Sequence, residues 1–344
     1  YVSQNDVVMI RYGSQTAGRV VIGKEGIIAN NMFRIIPIVD GIENRYLYYF
    51  LKNQAIHNYL MNGQSSSTMP AITFDMMNDI DIYLPSIKDQ QKIALVLYSL
   101  DSKIELNNKI NTELEAMAKT LYNYWFVQFD FPDKNGKPYK TSGGKMIYSE
   151  ELKKEIPEGW EVRQMNQLLK KNTEKFNLNI KNHDLDTIDL SVMPSATMCL
   201  NEKSSSSSFD TNLFKLNKYD ILFGGIRPYL LKAGFSPFDG LVTGTVHSFR
   251  VKDQNEYNFA IITMVHDSMF KFAVSNSKGT KMPVVGADDL LCYKVAYNKD
   301  VIKKFNELIS FKEIISHNII ENQKLSELRN WLLPMLMNGQ VKVK

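Results

Sequence analysis

The sequence predicts an α+β chain in which two strand-rich domains, the first of them incomplete, are separated by two long helices forming an antiparallel coiled coil. Three observations predict it. The chain repeats itself at an interval of a little over 210 residues, as a duplicated structural unit does. Each copy ends in apolar residues stepping by four and three, the spacing of a helical seam. The stretch before each seam is made of short apolar or alternating runs bounded by Gly, Asn and Pro, which is strand-and-turn punctuation. At 344 residues, with 44% hydrophobic and 23% charged residues, the chain exceeds one domain of about 100–200 residues.

The repeat is read residue by residue. Asp6-Val7-Val8-Met9 resembles Asp220-Ile221-Leu222-Phe223, and Gly26-Ile27-Ile28 resembles Gly240-Leu241-Val242, both 214 residues on (220 − 6). Met69-Pro70 answers Met282-Pro283 at 213 (282 − 69). Leu97, Leu100, Asn107, Asn111, Leu114 and Leu121 answer Leu308, Phe311, Asn318, Asn322, Leu325 and Leu332 at 211 (308 − 97). A drift this small is what loop insertions leave behind.

The first domain, 1–85, is expected to hold strands at DVVMI, RVVIG, GIIAN and DIDIYLP. Pro85 closes it, and Ser86 is placed to cap the first long helix, 86–130. The seam there is Ile93, Leu97, Leu100, Ile104, Asn107, Asn111, Leu114, Ala118, Leu121 and Trp125. A 3.5-residue period asks for a partner helix and a left-handed supercoil. Residues 131–156, rich in Gly, Lys and Pro, read as an exposed linker. The second domain, 157–298, should hold strands at YDILF, GLVTGTVHSFRV and LLCYKVAY, with the serine run 204–208 as a flexible loop. The second long helix, 299–344, supplies the partner seam: Leu308, Phe311, Ile315, Asn318, Asn322, Leu325 and Leu332.

Two asparagines sit in the middle of each seam. In an antiparallel pair the midpoints meet, so the four form a central polar layer that fixes register at some loss of stability. The alternative is four solvent-facing positions in imperfect seams. On the first reading Asn107→Leu would stabilise the pair while loosening its register.

Much chemistry is excluded. There is no run of 18 apolar residues and no basic-then-apolar start, so neither a membrane span nor a signal peptide is expected, and a cytoplasmic location follows. Cys199 and Cys292 give no metal spacing, and His57, His183, His247, His266 and His317 suggest no metal triad. Phosphate-loop, dinucleotide-turn, zinc-protease and nucleophile-elbow motifs are all missing. Asp133, Glu151 and Lys153 imitate the acidic-acidic-lysine set with which many nucleases hold Mg²⁺, but in a stretch that reads as linker.

Binding chemistry remains. The net charge of +4 is mild, so phosphate contact would be local. Arg11 with Tyr12, and Arg227 with Tyr229, follow equivalent strands; Arg can reach a guanine edge or clamp phosphate, and Tyr can pack on sugar or base. Arg19 and Lys232 are nearby cations. The equivalent polar loops carry Ser65, Ser66, Ser67 and Thr68 in one copy and Lys278, Gly279, Thr280 and Lys281 in the other, small enough to bring backbone N–H groups to phosphate. Ordinary surface arginines, half-buried tyrosines and polar hairpin tips would look similar.

At this point the sequence resembles the DNA-specificity subunits of type I restriction-modification enzymes. The resemblance is carried by Ile80-Asp81-Ile82-Tyr83-Leu84-Pro85-Ser86 with Asp89-Gln90-Gln91-Lys92-Ile93-Ala94, by Leu121-Tyr122-Asn123-Tyr124-Trp125-Phe126, and by Ile156-Pro157-Glu158-Gly159-Trp160. YDILFGGIRPYL and the closing Trp331-Leu332-Leu333-Pro334 add to it, so nearly the whole chain is covered. It implies two target-recognition domains, each reading half of a bipartite double-stranded DNA site, and no catalytic residue, cofactor or metal in this chain. It also implies two docked methyltransferase subunits and, in a full complex, two restriction/translocase subunits. S-adenosylmethionine, ATP and Mg²⁺ would belong to those partners. A helix of about 37 residues rises roughly 55 Å, about one and a half turns of B-DNA, so the coiled coil would act as a ruler between the two blocks. The sequence departs from the pattern in two places. Only five residues precede Asp6 where Asp220 comes 60 positions after Trp160 (220 − 160), so an N-terminally truncated first domain is expected. Tyr297-Asn298-Lys299-Asp300 replaces the Leu-Pro junction of the first copy. Two other readings stay open: a coiled-coil adaptor that binds proteins, and a metal-dependent nuclease.

Overall fold

The computed structural model describes residues 1–13, 16–38, 40–62, 71–176, 184–308 and 310–343. In chain order the elements are β1 Val7–Ile10, β2 Val20–Ile22, β3 Met32–Ile35, α1 Asn44–Lys52, α2 Gln54–Asn62, α3 Phe74–Asn78 and α4 Ile87–Tyr122. There follow β4 Met146–Ser149, β5 Lys154–Pro157, β6 Glu161–Gln164, α5 Met165–Leu168, β7 Leu169–Lys171, β8 Asp186–Ile188, β9 Ser204–Ser205, β10 Leu213–Leu216 and β11 Ile221–Gly224. The last are β12 Ala233–Phe235, β13 Gly240–Thr243, β14 Val246–Val251, α6 Tyr257–Val265, α7 Asp267–Ser275, α8 Ala287–Leu291, β15 Lys294–Tyr297, α9 Lys299–Leu308 and α10 Phe311–Met337. The class is α+β, and the chain divides into unit 1, residues 1–106 and 322–344, and unit 2, residues 107–321.

In unit 1 the antiparallel sheet β2-β1-β3 places Val7 and Met9 against Tyr46, Tyr49 and Phe50 of α1. Leu97 of α4 and Leu333 and Leu336 of α10 close the same core. Ser86 caps α4 as its position suggests, its Oγ accepting from the Asp89 N–H at 3.3 Å. Next to it the buried Gln90 amide donates to the Gly41 and Pro85 carbonyls (2.8 and 2.9 Å) and accepts from the Glu43 N–H, which fixes where the helix begins. Farther along, Asp101 accepts from Tyr49 Oη and Lys52 Nζ, each at 3.0 Å, and from Arg329 Nη1 at 2.6 Å. Burial alone would raise its carboxyl, but Arg329 and Lys52 outweigh it and hold the group below the usual range.

The repeat read from the sequence recurs in the hydrogen bonds. Arg11 N donates to the Asn31 carbonyl as Gly225 N donates to that of Thr245, and Ile72 N donates to Arg11 as Val285 N does to Gly225. Val7 faces Ile35 as Ile221 faces Phe249, and Val2 bridges Gly26 as Leu216 pairs with Gly240. The helices α1, α2 and α3 recur as α6, α7 and α8. None of these helices was anticipated. GIIAN and DIDIYLP, read as strands, form none: Gly26 makes a single bridge, and 79–85 finds no pairing strand among the described residues. Alternation there reflects half-buried Ile80 and Ile82 packed on the core rather than a ladder, and the Tyr83 carbonyl accepts from Tyr46 Oη at 2.6 Å.

Unit 2 adds strands on both flanks. One sheet runs β12-β11-β14-β7 and another β10-β13-β8-β9, with β15-β6 and β4-β5 as antiparallel pairs. Residues 131–156 are mostly exposed, as read, and they are folded as well: Pro132 bridges Pro138, β4 and β5 form a hairpin, and Phe131 stacks on Tyr139 (4.8 Å, 15°) and packs on Trp160 (5.1 Å). The serine run is likewise ordered, as β9 followed by a 3₁₀ turn, Ser206–Ser208.

After α4 one π-helical turn, Asn123–Val127, widens the helix enough for the adjacent Trp125 and Phe126 both to face inward. Phe305 of α9 meets them at 5.7 and 5.1 Å. The helices run antiparallel in unit 2: Asn107 Nδ2 donates to Glu321 Oε2 at 2.6 Å, and Asn318 Nδ2 donates to Asn111 Oδ1 at 2.8 Å. Of the proposed seam, Leu97, Asn107, Asn111, Phe311, Ile315, Asn318 and Asn322 are buried, and Leu100, Ile104, Leu114, Leu121, Leu325 and Leu332 are half-buried. Leu308 is 60% exposed, because α9 ends there and inserts Ile302 and Phe305 instead. Helix α10 runs on through Pro334, its last turn held by buried Leu333, Leu336 and Met337.

Because Asn111 is the acceptor for Asn318, Asn111→Leu is expected to destabilise unit 2 by about 1–3 kcal/mol. Replacing both residues by leucine should recover most of that loss. Urea midpoints check it, and a double variant no better than the single one would contradict the pairing.

Candidate nucleic-acid interface

In unit 2 the cationic loops predicted from the sequence are joined through the backbone. Past β11, Ile226 bridges Val284, Val284 bridges Lys278, and Arg227 N donates to the Pro283 carbonyl at 2.7 Å. The strand end carrying Arg227 and the hairpin carrying Lys278, Gly279, Thr280 and Lys281 are therefore one loop cluster. Gly279 takes a left-handed φ of +97° where the hairpin turns. Arg227 and Leu231 are left-handed as well, with φ of 51° and 56°, and frame a 3₁₀ turn, Pro228–Leu230. Such a backbone is unfavourable for a side chain bearing Cβ and persists only where surrounding bonds over-determine it. Here it leaves Arg227 and Tyr229 exposed beside the exposed Lys278, Gly279, Thr280 and Lys281. Lys232 is placed differently: its ammonium donates to the Leu190 carbonyl at 2.5 Å and ties two loops together.

Gly225, at the base of this cluster, packs against a ring. A Cβ there would come within 2.6 Å of His247 Nε2, which contacts the Val285 carbonyl at 2.8 Å. Burial lowers the His247 pKa below the ordinary 6.5, and the same holds for His266. The unfolded chain protonates these rings near 6.5 and the folded chain only at lower pH. Their contribution is thus complete above pH 6.5 and lost as pH falls through the folded values. Stability of unit 2 is expected to fall as pH drops below 6.5, with His247→Gln flattening that slope. An unchanged slope in the variant would show that His247 is not responsible.

Unit 1 has the same frame with different side chains. Tyr12 bridges Ala71 as Ile226 bridges Val284. Arg11 occupies the position of Gly225, and its guanidinium lies over the rings of Tyr12 (4.9 Å) and Phe74 (5.4 Å), so it is stacked and half-buried. Arg19 is exposed, its carbonyl accepting from Ile10 N. Ser65, Ser66, Ser67 and Thr68 lie outside the described residues.

Two features escaped the sequence reading. Buried Glu115 of α4 accepts from Lys119 Nζ and Thr197 Oγ1, each at 2.6 Å, and from Met198 N at 3.1 Å. Burial and that carboxylate push the Cys199 thiol up to about 12, leaving it protonated and unreactive. A concave surface lined by Lys171, Asn172, Lys175, Phe214 and His247 is the second. Neither has a local motif, because each is assembled from segments far apart in sequence.

The nuclease-like residues do not form a metal cradle. Asp133 Oδ1 accepts from the N–H groups of Asn135 and Lys137 inside a turn, and Glu151 pairs with Lys294 at 2.8 Å. Lys153 sits at a left-handed φ of 51°. Among the described residues, no three His, Cys, Asp or Glu side chains are grouped to hold a metal, and no helix is long and apolar enough to cross a membrane.

Known proteins share this pattern. Residues 1–116 match the type I restriction modification DNA specificity domain. The type I restriction enzyme MjaIX specificity subunit of Methanocaldococcus jannaschii is 28% identical over 341 residues, covering 95% of this chain and 76% of that protein. The HindI specificity subunit of Haemophilus influenzae is 22% identical over 384 residues, covering 92% of this chain and 81% of that one. The crystal structure of a type I restriction-modification S subunit from M. genitalium superposes with a TM-score of 0.53 at 13% identity, over 98% of this chain and 84% of that one, which shows the fold. Residues 1–116 thus carry the type I restriction modification DNA specificity domain, and the chain along most of its length is similar to specificity subunits of type I restriction enzymes.

Proposed function

We propose that the protein is a non-catalytic, sequence-specific DNA reader that recognises a bipartite double-stranded site and scaffolds methyltransferase subunits, with restriction/translocase subunits joining in a full complex. The observation that carries this reading is the pinned, left-handed Arg227 loop, joined through Pro283 and Val284 to the exposed Lys278–Lys281 tip. An exposed guanidinium on a rigid loop can meet a base edge, while Lys278, Lys281 and the backbone of Gly279 meet phosphate. The 36-residue helix α4 rises roughly 54 Å, which suits two half-sites about one and a half duplex turns apart. Ile110 and Met117, exposed on α4, and Tyr124, exposed on the π-helical turn that follows, offer the apolar surface that a scaffolded subunit would cover. S-adenosylmethionine, ATP and Mg²⁺ enter with those partners.

A salt titration of duplex binding by fluorescence anisotropy tests the reading. Each phosphate contact should contribute about −0.9 to the slope of log affinity against log salt. A steep negative slope is expected. A flat one would exclude phosphate contact and favour a protein-binding adaptor.

A further inference from the structure

Unit 2 holds a cavity of about 370 Å³ between its two four-stranded sheets. Val246, His247 and Ser248 of β14 line one side, and Phe214 of β10 and Val242 of β13 line the other. Small-molecule sites have this size and this make-up, a largely apolar wall with a few placed polar groups. The cavity is distinct from the Arg227 cluster. His247 forms the wall towards it, with Nε2 on the Val285 carbonyl at 2.8 Å.

Its charge has one sign. Burial keeps His247 neutral at pH 7, so Lys171 and Lys175 are the ionised side chains among the described residues that line it. The one carboxylate within the run 171–175, Glu174, is held by Arg250 Nη1 at 2.7 Å. Asp288 meets Lys171 at 3.3 Å, but with both side chains exposed such a pair is weak. The run is also fixed in place. Lys171 pairs with Phe249 of β14, and Lys175 bridges Phe214 of β10. Between them Asn172 N donates to the Ser248 carbonyl at 2.8 Å and Asn172 Nδ2 donates to that of Lys215 at 2.6 Å. Two ammonium groups are thus carried on an anchored backbone beside an aromatic ring, and no carboxylate lines the cavity to offset them.

We propose that this cavity binds a phosphate monoester carried on a flat ring, a free mononucleotide, with the ring against Phe214 and Val242 and the phosphate at Lys171 and Lys175. A phosphate monoester carries about −1.5 to −2 charges at pH 7 and so matches two ammonium groups. A phosphodiester of a DNA backbone brings only about one. Stacking on an aromatic ring accepts any base, so purine and pyrimidine nucleotides both qualify. The inference does not depend on DNA reading.

The probe is adenosine 5′-monophosphate, titrated into the full chain by isothermal calorimetry, with adenosine and inorganic phosphate alongside. The nucleotide should bind saturably at one site, and each half alone roughly tenfold or more weakly, since one lacks the charge-assisted bonds and the other the stacking. Lys171→Gln combined with Lys175→Gln should weaken the nucleotide by roughly tenfold or more and leave adenosine unchanged. Gly244→Leu should weaken the nucleotide and adenosine but not phosphate. A Cβ on Gly244 meets only Phe214 Cε2, at 3.6 Å, and the backbone there is not left-handed, so the new side chain enters the cavity beside the ring without strain. Any of four results would overturn the proposal: no saturable nucleotide binding; inorganic phosphate binding as tightly as the nucleotide, which leaves two surface lysines and no ring site; nucleotide affinity unchanged in both variants; or displacement of the nucleotide by a short DNA duplex, which assigns the lysines to the DNA backbone.

Discussion

Phe305→Ala should lower the stability of unit 2 by about 3–5 kcal/mol, the usual result of emptying a large aromatic site in a packed core. The Phe305 ring is fully buried, edge-on to Phe126 at 5.1 Å and close to Trp125 and Tyr122 at 5.7 and 6.4 Å. With Ile302, it is a side chain by which α9 packs into the core that holds the π-helical end of the first long helix. Trp125 reports the change, and urea unfolding followed by tryptophan fluorescence measures it. A loss below about 1 kcal/mol would mean that α9 is not anchored there.

Arg227→Ala should weaken specific duplex binding by about 1–3 kcal/mol, roughly five- to 150-fold, the usual worth of a bidentate base contact. Lys278→Ala should instead weaken all sequences alike and reduce the salt slope by about one phosphate. The control is Arg227→Gly, which deletes the guanidinium while easing the φ of 51°. It should bind as poorly as the alanine variant yet unfold no more easily than the wild type. Full binding by both variants would remove Arg227 from the interface and leave a surface arginine on a strained turn.

The seams were legible because a four–three step survives any loop insertion and depends only on which helix face is dry. The repeat was legible because both copies keep Asp6 and Asp220 at the same turn, each accepting from the N–H three residues before it. Helix α6 was not legible: YNFAIITMV is buried all round, so it carries no amphipathic period to mark it as a helix. DIDIYLP misled in the opposite direction, since alternation signals one buried side and cannot say whether a neighbouring strand exists. Glu321 as the partner of Asn107, and Lys232 as a tie to Leu190, depend on pairings across more than 40 residues that no local pattern encodes. Candidate DNA residues were read from residue type and loop position. What the fold adds is the link through Pro283 and Val284 that puts Arg227 and Lys278 in one cluster.

The most direct test of the central claim is to express the chain with a type I methyltransferase subunit and map methylated adenines across a host genome. The expected result is a single motif of two short blocks with a fixed gap, one of whose blocks changes or disappears in the Arg227→Ala variant. The absence of any bipartite methylated motif, or a motif indifferent to Arg227 and Lys278 together, would contradict the account.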